Sequence, residues 1–169
     1  MDDIDLISID PHRDATLAAG WINASGGPQM LQLMGMLVPD DFKTTVTDEY
    51  KTLFDIVRDK TEIAWVIDYD GQVVGIIEVH TKPFEGLRAP NISIMIGDAS
   101  SRSKGVGTVA MELAIENVKR LGDAVLYARV LTRNAPSIGM LKKLGFIDDG
   151  EPYTDADKLH WQNVKLQLG

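Results

Sequence analysis

Asn91-Ile92-Ser93-Ile94-Met95-Ile96-Gly97 reads as an apolar strand, and Arg102-Ser103-Lys104-Gly105-Val106-Gly107-Thr108 follows it. A helical pattern then runs from about Val106 to Leu121, with Val109, Leu113, Val118 and Leu121 expected on its core side. Two glycines let backbone amides turn toward a ligand with no Cβ in the way. The first turn of the helix adds unpaired N–H groups and a partial positive charge. With Arg102 and Lys104, the loop reads as a cradle for a pyrophosphate.

Three kinds of cradle compete for this loop. A Walker A loop needs Lys-Ser/Thr after its last glycine, and Gly107 is followed by Thr108-Val109, which excludes it. Gly105-Val106-Gly107-Thr108-Val109-Ala110 formally matches the dinucleotide pattern G-x-G-x-x-G/A. Its context is wrong: several strands joined by short turns precede it, and Asp123 stands before the next strand rather than at a strand's end. The pattern R/Q-x-x-G-x-G/A fits residue for residue, counting Arg102, Gly105 and Gly107. The plain alternative is a tight loop and nothing more.

At this loop the chain resembles the GNAT superfamily of acyl-CoA-dependent N-acetyltransferases. A second segment agrees, Asn134-Ala135-Pro136-Ser137-Ile138-Gly139-Met140-Leu141-Lys142-Lys143-Leu144-Gly145-Phe146. In that family an Asn, a Ser or Ala three residues on, and a Leu-Gly-Phe ending mark the helix beside the pantetheine arm. The resemblance covers roughly residues 60 to 169, and the N-terminal third more loosely. It implies a mixed α/β fold, a largely antiparallel central sheet with helices on both faces and a splayed central strand pair. It also implies acetyl-CoA as co-substrate, bound by Arg102, Ser103, Lys104, Gly105, Val106, Gly107 and Thr108 at the pyrophosphate. Met95, Ile96 and Asn134 would lie along the pantetheine. Dimers are common in that family.

Two positions depart from the family pattern. The tyrosine many relatives place seven residues after the Asn is Leu141 here, and the glutamate expected at the start of the fourth strand is Asn91. The ribosomal-protein N-terminal acetyltransferase branch also lacks that tyrosine and carries a serine where Ser137 stands. Ser137 is therefore the candidate partner of the CoA sulfur; the alternative is a polar residue in a helix's first turn. Acyl transfer to an amine also needs a proton acceptor and a donor for the oxyanion. Glu78 and His80, two apart on one strand face, are the candidates for the base, with Glu78 preferred. The alternative is that both face solvent.

Composition is consistent with this reading. The 169 residues suit one domain, with no cysteine for a disulfide, a thiolate nucleophile or a cysteine metal site. A net charge of −8 argues against nucleic acid and would suit a cationic acceptor, or serve only solubility. The acidic start Met1-Asp2-Asp3-Ile4-Asp5 shows no secretory signal, and no apolar run approaches a membrane span, so the cytoplasm is expected. His12, His80 and His160 show no metal-ligand spacing, and no metal is expected.

The remaining elements follow from periodicity and punctuation. Strands are expected at 4–9, 63–69, 72–80, 91–96, 124–131, 146–148 and 160–168. Asp70-Gly71 closes the second and third into a hairpin. Helices are expected at 11–21, 50–59 and 134–144, and the methionine-rich stretch 30–37 as a short core helix rather than a flexible wall. Tyr153, in the acidic loop 151–157, is placed either over the acceptor site or on a solvent-exposed turn. The competing reading from another class is a non-catalytic acyl-CoA-binding sensor or interaction module.

Overall fold

The computed structural model describes residues 2–169; Met1, at the head of the acidic N-terminal stretch, lies outside the described residues. The chain begins with β1 (Ile4–Ile7), α1 (Pro11–Asn23), α2 (Gly27–Leu33) and α3 (Val46–Arg58). The hairpin β2 (Glu62–Tyr69) and β3 (Gln72–His80) leads to β4 (Asn91–Ile96), α4 (Val106–Lys119) and β5 (Val125–Leu131). Then come α5 (Ala135–Lys143), β6 (Ile147–Asp148), β7 (Tyr153–Thr154) and β8 (His160–Gln167). The strands form one sheet in the order β1-β2-β3-β4-β5-β8-β6, with β7 paired to β8. Every pairing is antiparallel except β4 with β5, so the sheet is mixed and largely antiparallel, as the resemblance implies. No helix among the described residues is long and apolar enough to cross a membrane.

Local chemistry explains where the helices start. Asp10 accepts from the amides of His12 and Arg13, and Thr45 accepts from that of Asp48. These caps end β1 at Ile7 rather than Ile9 and start α3 at Val46, four residues before the expected Tyr50. Asp70 (φ 51°) and Gly71 (φ 85°) both take left-handed backbone, which the two-residue hairpin turn demands. The short β7, where a loop was expected, is held on β8 by Tyr153↔Trp161 and Thr154↔His160.

The main core lies between α4, α5 and one sheet face. The buried stripe of α4 is Val106, Ala110, Met111, Ala114, Ile115 and Val118, whereas Val109 and Leu121 are exposed. The alanines let the helix axis approach the sheet, so the stripe is set by small residues that apolar counting passed over. Ile92, Ile94 and Ile96 of β4 face this core. Asn91, Ser93 and Met95 alternate to the other face, under α1, α2 and α3.

Two irregularities in the sheet position the site. β4 and β5 are in register only at Asn91↔Tyr127, with Tyr127 N donating to Pro90 O at 2.9 Å, and beyond that the pair splays. In the hairpin the pairing sum changes by one: Asp68↔Val73 is followed by Ile67↔Gly75, leaving Val74 as an extra residue. At Gly75 an added Cβ would lie 2.3 Å from Met95 O, a ladder atom that cannot retreat without breaking β3 from β4. Gly75→Ala is expected to cost about 1–3 kcal/mol, read as a lower urea midpoint at unchanged slope.

Candidate active site

The loop after β4 is built from the inside. Ser100 and Ser101 hydroxyls donate to Asp98 at 2.8 and 2.5 Å, holding its carboxylate below the usual range. Ser103 (φ 60°) and Gly105 (φ 79°) take left-handed backbone, and Gly105 caps α4 without a side chain. Helices α1, α3 and α5 have their first amides capped by Asp10, Thr45 and Asn134, whereas α4, like the short α2, has a glycine N-cap and no side-chain cap for its first-turn N–H groups. Gly107 sits close under its neighbours: an added Cβ would meet Met140 Sδ at 3.4 Å and Ile96 Cγ1 at 3.7 Å.

Arg102 is exposed and anchors one edge of its guanidinium on the backbone at the end of β4. Its Nε donates to Ile96 O at 3.0 Å, and Nη2 donates to Gly97 O at 3.1 Å with Met30 Sδ at 2.9 Å. The guanidinium closes the end of β4 against α2 because the splayed strand leaves those carbonyls unpaired. Lys104 is exposed, and it and the amide end of α4 supply the positive character there.

Where β4 and β5 part, a narrow channel of about 90 Å³ opens, with Ile94, Asn134, Ser137 and Met140 on its walls. Asn134 caps α5 by accepting from Ser137 N at 3.4 Å, and its Nδ2 donates to Leu33 O at 3.3 Å, tying α5 to α2. Ser137 is half-buried beside the channel, and Leu141 is buried in the core where many relatives carry tyrosine. Met95 and Ile96 point to opposite faces, Met95 toward α1 and α2, Ile96 beneath Gly107.

On the other face lies a cavity of about 660 Å³. It shares Ser93, Arg129, Trp161 and Met34 with the channel, so the two spaces meet at the splay. Ser93 is exposed although it sits mid-strand in the centre of the sheet. Of the methionine-rich stretch, Met30 packs inward, while Met34 and Met36 are exposed and line the cavity, so the short-core-helix expectation holds only for its first half. Tyr153 donates to Asn163 and does not reach the cavity. The acidic loop acts indirectly: Asp155 accepts from Trp161 Nε1 at 2.8 Å, fixing an indole on which the Arg129 guanidinium rests, 3.8 Å from the ring centre. Arg129 also pairs with Glu85.

The cavity's chemistry centres on Glu78, which does not face open solvent. Glu62, Glu78 and His80 lie on one face, with His80 Nε2 4.0 Å from an oxygen of each carboxyl. The Glu62 side chain is 7% exposed, that of His80 12% and that of Glu78 27%. The two carboxyls are close neighbours, and burial raises both above the usual range, Glu62 to about 8 with the neighbouring Glu78 charge adding to the effect. Burial lowers His80, partly offset by Glu85 and Asp59, and its ring stacks on Phe84 at 3.9 Å. Glu62 escaped the sequence reading for a physical reason. Counting back from the Asp70-Gly71 turn pairs Glu62 with Val79 on the opposite face, and only the bulge at Val74 moves it opposite His80.

The chain matches the acetyltransferase (GNAT) family over residues 30–146, and it belongs to that family. L-methionine sulfoximine/L-methionine sulfone acetyltransferases of Pseudomonas paraeruginosa and Pseudomonas aeruginosa are each 34% identical over 86 residues. That is 50% of this chain and 49% of theirs, so the match spans about half the length of these curated relatives. The fold is shared with RimL, a ribosomal L7/L12 α-N-protein acetyltransferase solved with CoA (TM-score 0.77, 13% identity, 97% of this chain and 93% of that one). It is shared equally with a spermidine N-acetyltransferase from Vibrio cholerae solved with CoA and spermine (TM-score 0.74, 15% identity, 98% and 95%).

A carboxyl held protonated in the fold but ionised in the unfolded chain adds stability below its unfolded value near 4.5. That stability is lost as pH rises through the folded value. Glu62→Gln mimics the protonated form. Its Tm relative to wild type is therefore expected to rise between pH 5 and pH 8 and then level, measured by calorimetry with a chelator present. A difference that stays flat across that range would mean Glu62 ionises normally.

Proposed function

We propose that this chain moves the acetyl group of acetyl-CoA to the primary amine of a small molecule, by direct transfer in a ternary complex. The observation that carries the reading is the half-buried Glu78 carboxyl on the cavity wall, paired across the sheet with Ser93 at the splay where the channel meets the cavity. In this reading the nucleotide lies on residues 102–108 and the acyl-pantetheine runs down the channel past Asn134 and Ser137. The amine enters from the cavity side.

Attack of the amine nitrogen on the thioester carbonyl forms the C–N bond. Collapse of the tetrahedral intermediate then breaks the C–S bond. The ammonium proton passes to a Glu78 oxygen, whose burial brings its basicity toward neutrality. A β4 backbone N–H on the edge that β5 leaves open meets the oxyanion, and the Ser137 hydroxyl hydrogen-bonds the departing thiolate. The chain has no cysteine, which removes the usual nucleophile for an acyl-enzyme route.

An acceptor of amino-acid type fits the cavity best. Arg129 offers a guanidinium there, with Glu85 as its present partner, and a substrate carboxylate would take Glu85's place. The Pseudomonas relatives are named for an acceptor of that type.

Thiol release from acetyl-CoA, run against amino acids, their sulfoximine and sulfone analogues, spermidine, aminoglycosides and short peptides, tests the reading. Amino-acid-dependent release supports it, and release with spermidine alone would overturn the acceptor class. Glu78→Gln should lower kcat/KM about 10²–10⁴-fold with CoA affinity unchanged. Gly107→Asp puts an anion and added bulk against Met140, Ile94 and Ile96, where the channel meets the glycine loop. Titration calorimetry of that variant should show no CoA binding, and tight binding would refute the cradle.

A further inference from the structure

We propose that Glu62, Glu78 and His80 form a site for a divalent transition-metal ion of the Zn²⁺ class, and that the bound ion switches acetyl transfer off. The switch rests on the reading of Glu78 as the base; the metal site itself does not. One ligand atom from each residue lies within 4.8 Å of the others. Two carboxylate oxygens and one imidazole nitrogen are a donor set that Zn²⁺ and Co²⁺ accept. Tetrahedral bonds of about 2.0–2.2 Å set ligand atoms about 3.3–3.6 Å apart. Contraction from separations of 4.0 Å at His80, and at most 4.8 Å within the cluster, therefore asks each side chain to move by less than about 1 Å.

A second observation points into the same space. Glu62 Oε1 is buried and has no hydrogen-bond partner among the described residues, and it faces His80 Nε2. An orphaned acceptor there costs free energy that a cation would recover. Two carboxylates this close cannot both ionise in a buried setting, but a charge of +2 allows it. The ring of His80 is already oriented by its stack on Phe84. The spacing of histidines along the chain could not reveal the cluster, because it assembles across a hairpin.

Occupancy would remove the proton acceptor. With the ion bound, the charge of Glu78 is neutralised by the cation and its basicity falls, so the incoming ammonium finds no effective proton acceptor.

The test uses the full chain freed of metal by a chelator that is then removed. Zn²⁺ is titrated by calorimetry, and Co²⁺ is followed by its visible absorption. One ion per chain is expected, weakened tenfold or more in both Glu62→Gln and His80→Gln and unchanged in His12→Gln, a surface histidine control. Absence of saturable binding up to 1 mM, or binding undiminished in both variants, would overturn the site. In parallel, thiol release is followed as Zn²⁺ is added. Inhibition tracking the calorimetric occupancy supports the switch, and full activity at saturation overturns it. If the metal-free chain acetylates no amine, the proposed function falls, and the calorimetry still decides the site.

Discussion

The splay between β4 and β5 is the constraint on which the rest of this structure depends. One register pair, Asn91↔Tyr127, holds the two strands together, after which the β5-facing edge of β4 has no ladder partner. Unpaired backbone groups in the middle of a sheet are costly unless something satisfies them. The protein satisfies two at the strand's end with the Arg102 guanidinium, which accounts for a basic residue at the start of the glycine loop. The remainder of the opening is the channel. Because the channel passes through the sheet, a ligand on the α4 side and one on the α1–α3 side can meet at Ser93, while the sheet keeps the rest of the two spaces apart.

The second organising fact is the placement of charge around that meeting point. Glu78 stands on the cavity wall with His80, and Arg129 rests on the Trp161 indole at another part of it, paired with Glu85. The Trp161 ring is itself held by Asp155 and covers Gly35, where any side chain would collide with it at 2.4 Å. Residues distant in sequence thus fix the cavity wall through one aromatic ring. Low exposure makes the carboxyl pair a place where a proton is held tightly, and where another cation would compete for it.

Much of the glycine loop and the helices around it was legible along the chain, for local reasons. Left-handed backbone at Gly105, an uncapped helix start and the Asn134 cap of α5 are each decided within four or five residues. The face of α4 was misjudged because Ala110 and Ala114 carry little hydrophobic signal, yet they are what lets the helix lie close. Arg102 was recognised as part of the loop, but its direction was not, since the carbonyls it meets are orphaned only by the divergence of β4 from β5.

The sequence by itself determined the order of elements, the Asp70-Gly71 turn, the glycine loop and the family, because turns, caps and a strand-to-helix loop depend on near neighbours. Tertiary structure alone decided which carboxyls share a face with His80. A strand alternates with period two, so a single extra residue at Val74 carries Glu62 from the face of Val79 to that of Glu78 and His80. The one sign of that extra residue in β3 is Gly75, an interior strand glycine that marks an irregularity without fixing the register beyond it. The extra residue is set where the hairpin packs against β4, at this glycine, whose missing side chain lets Met95 O come close.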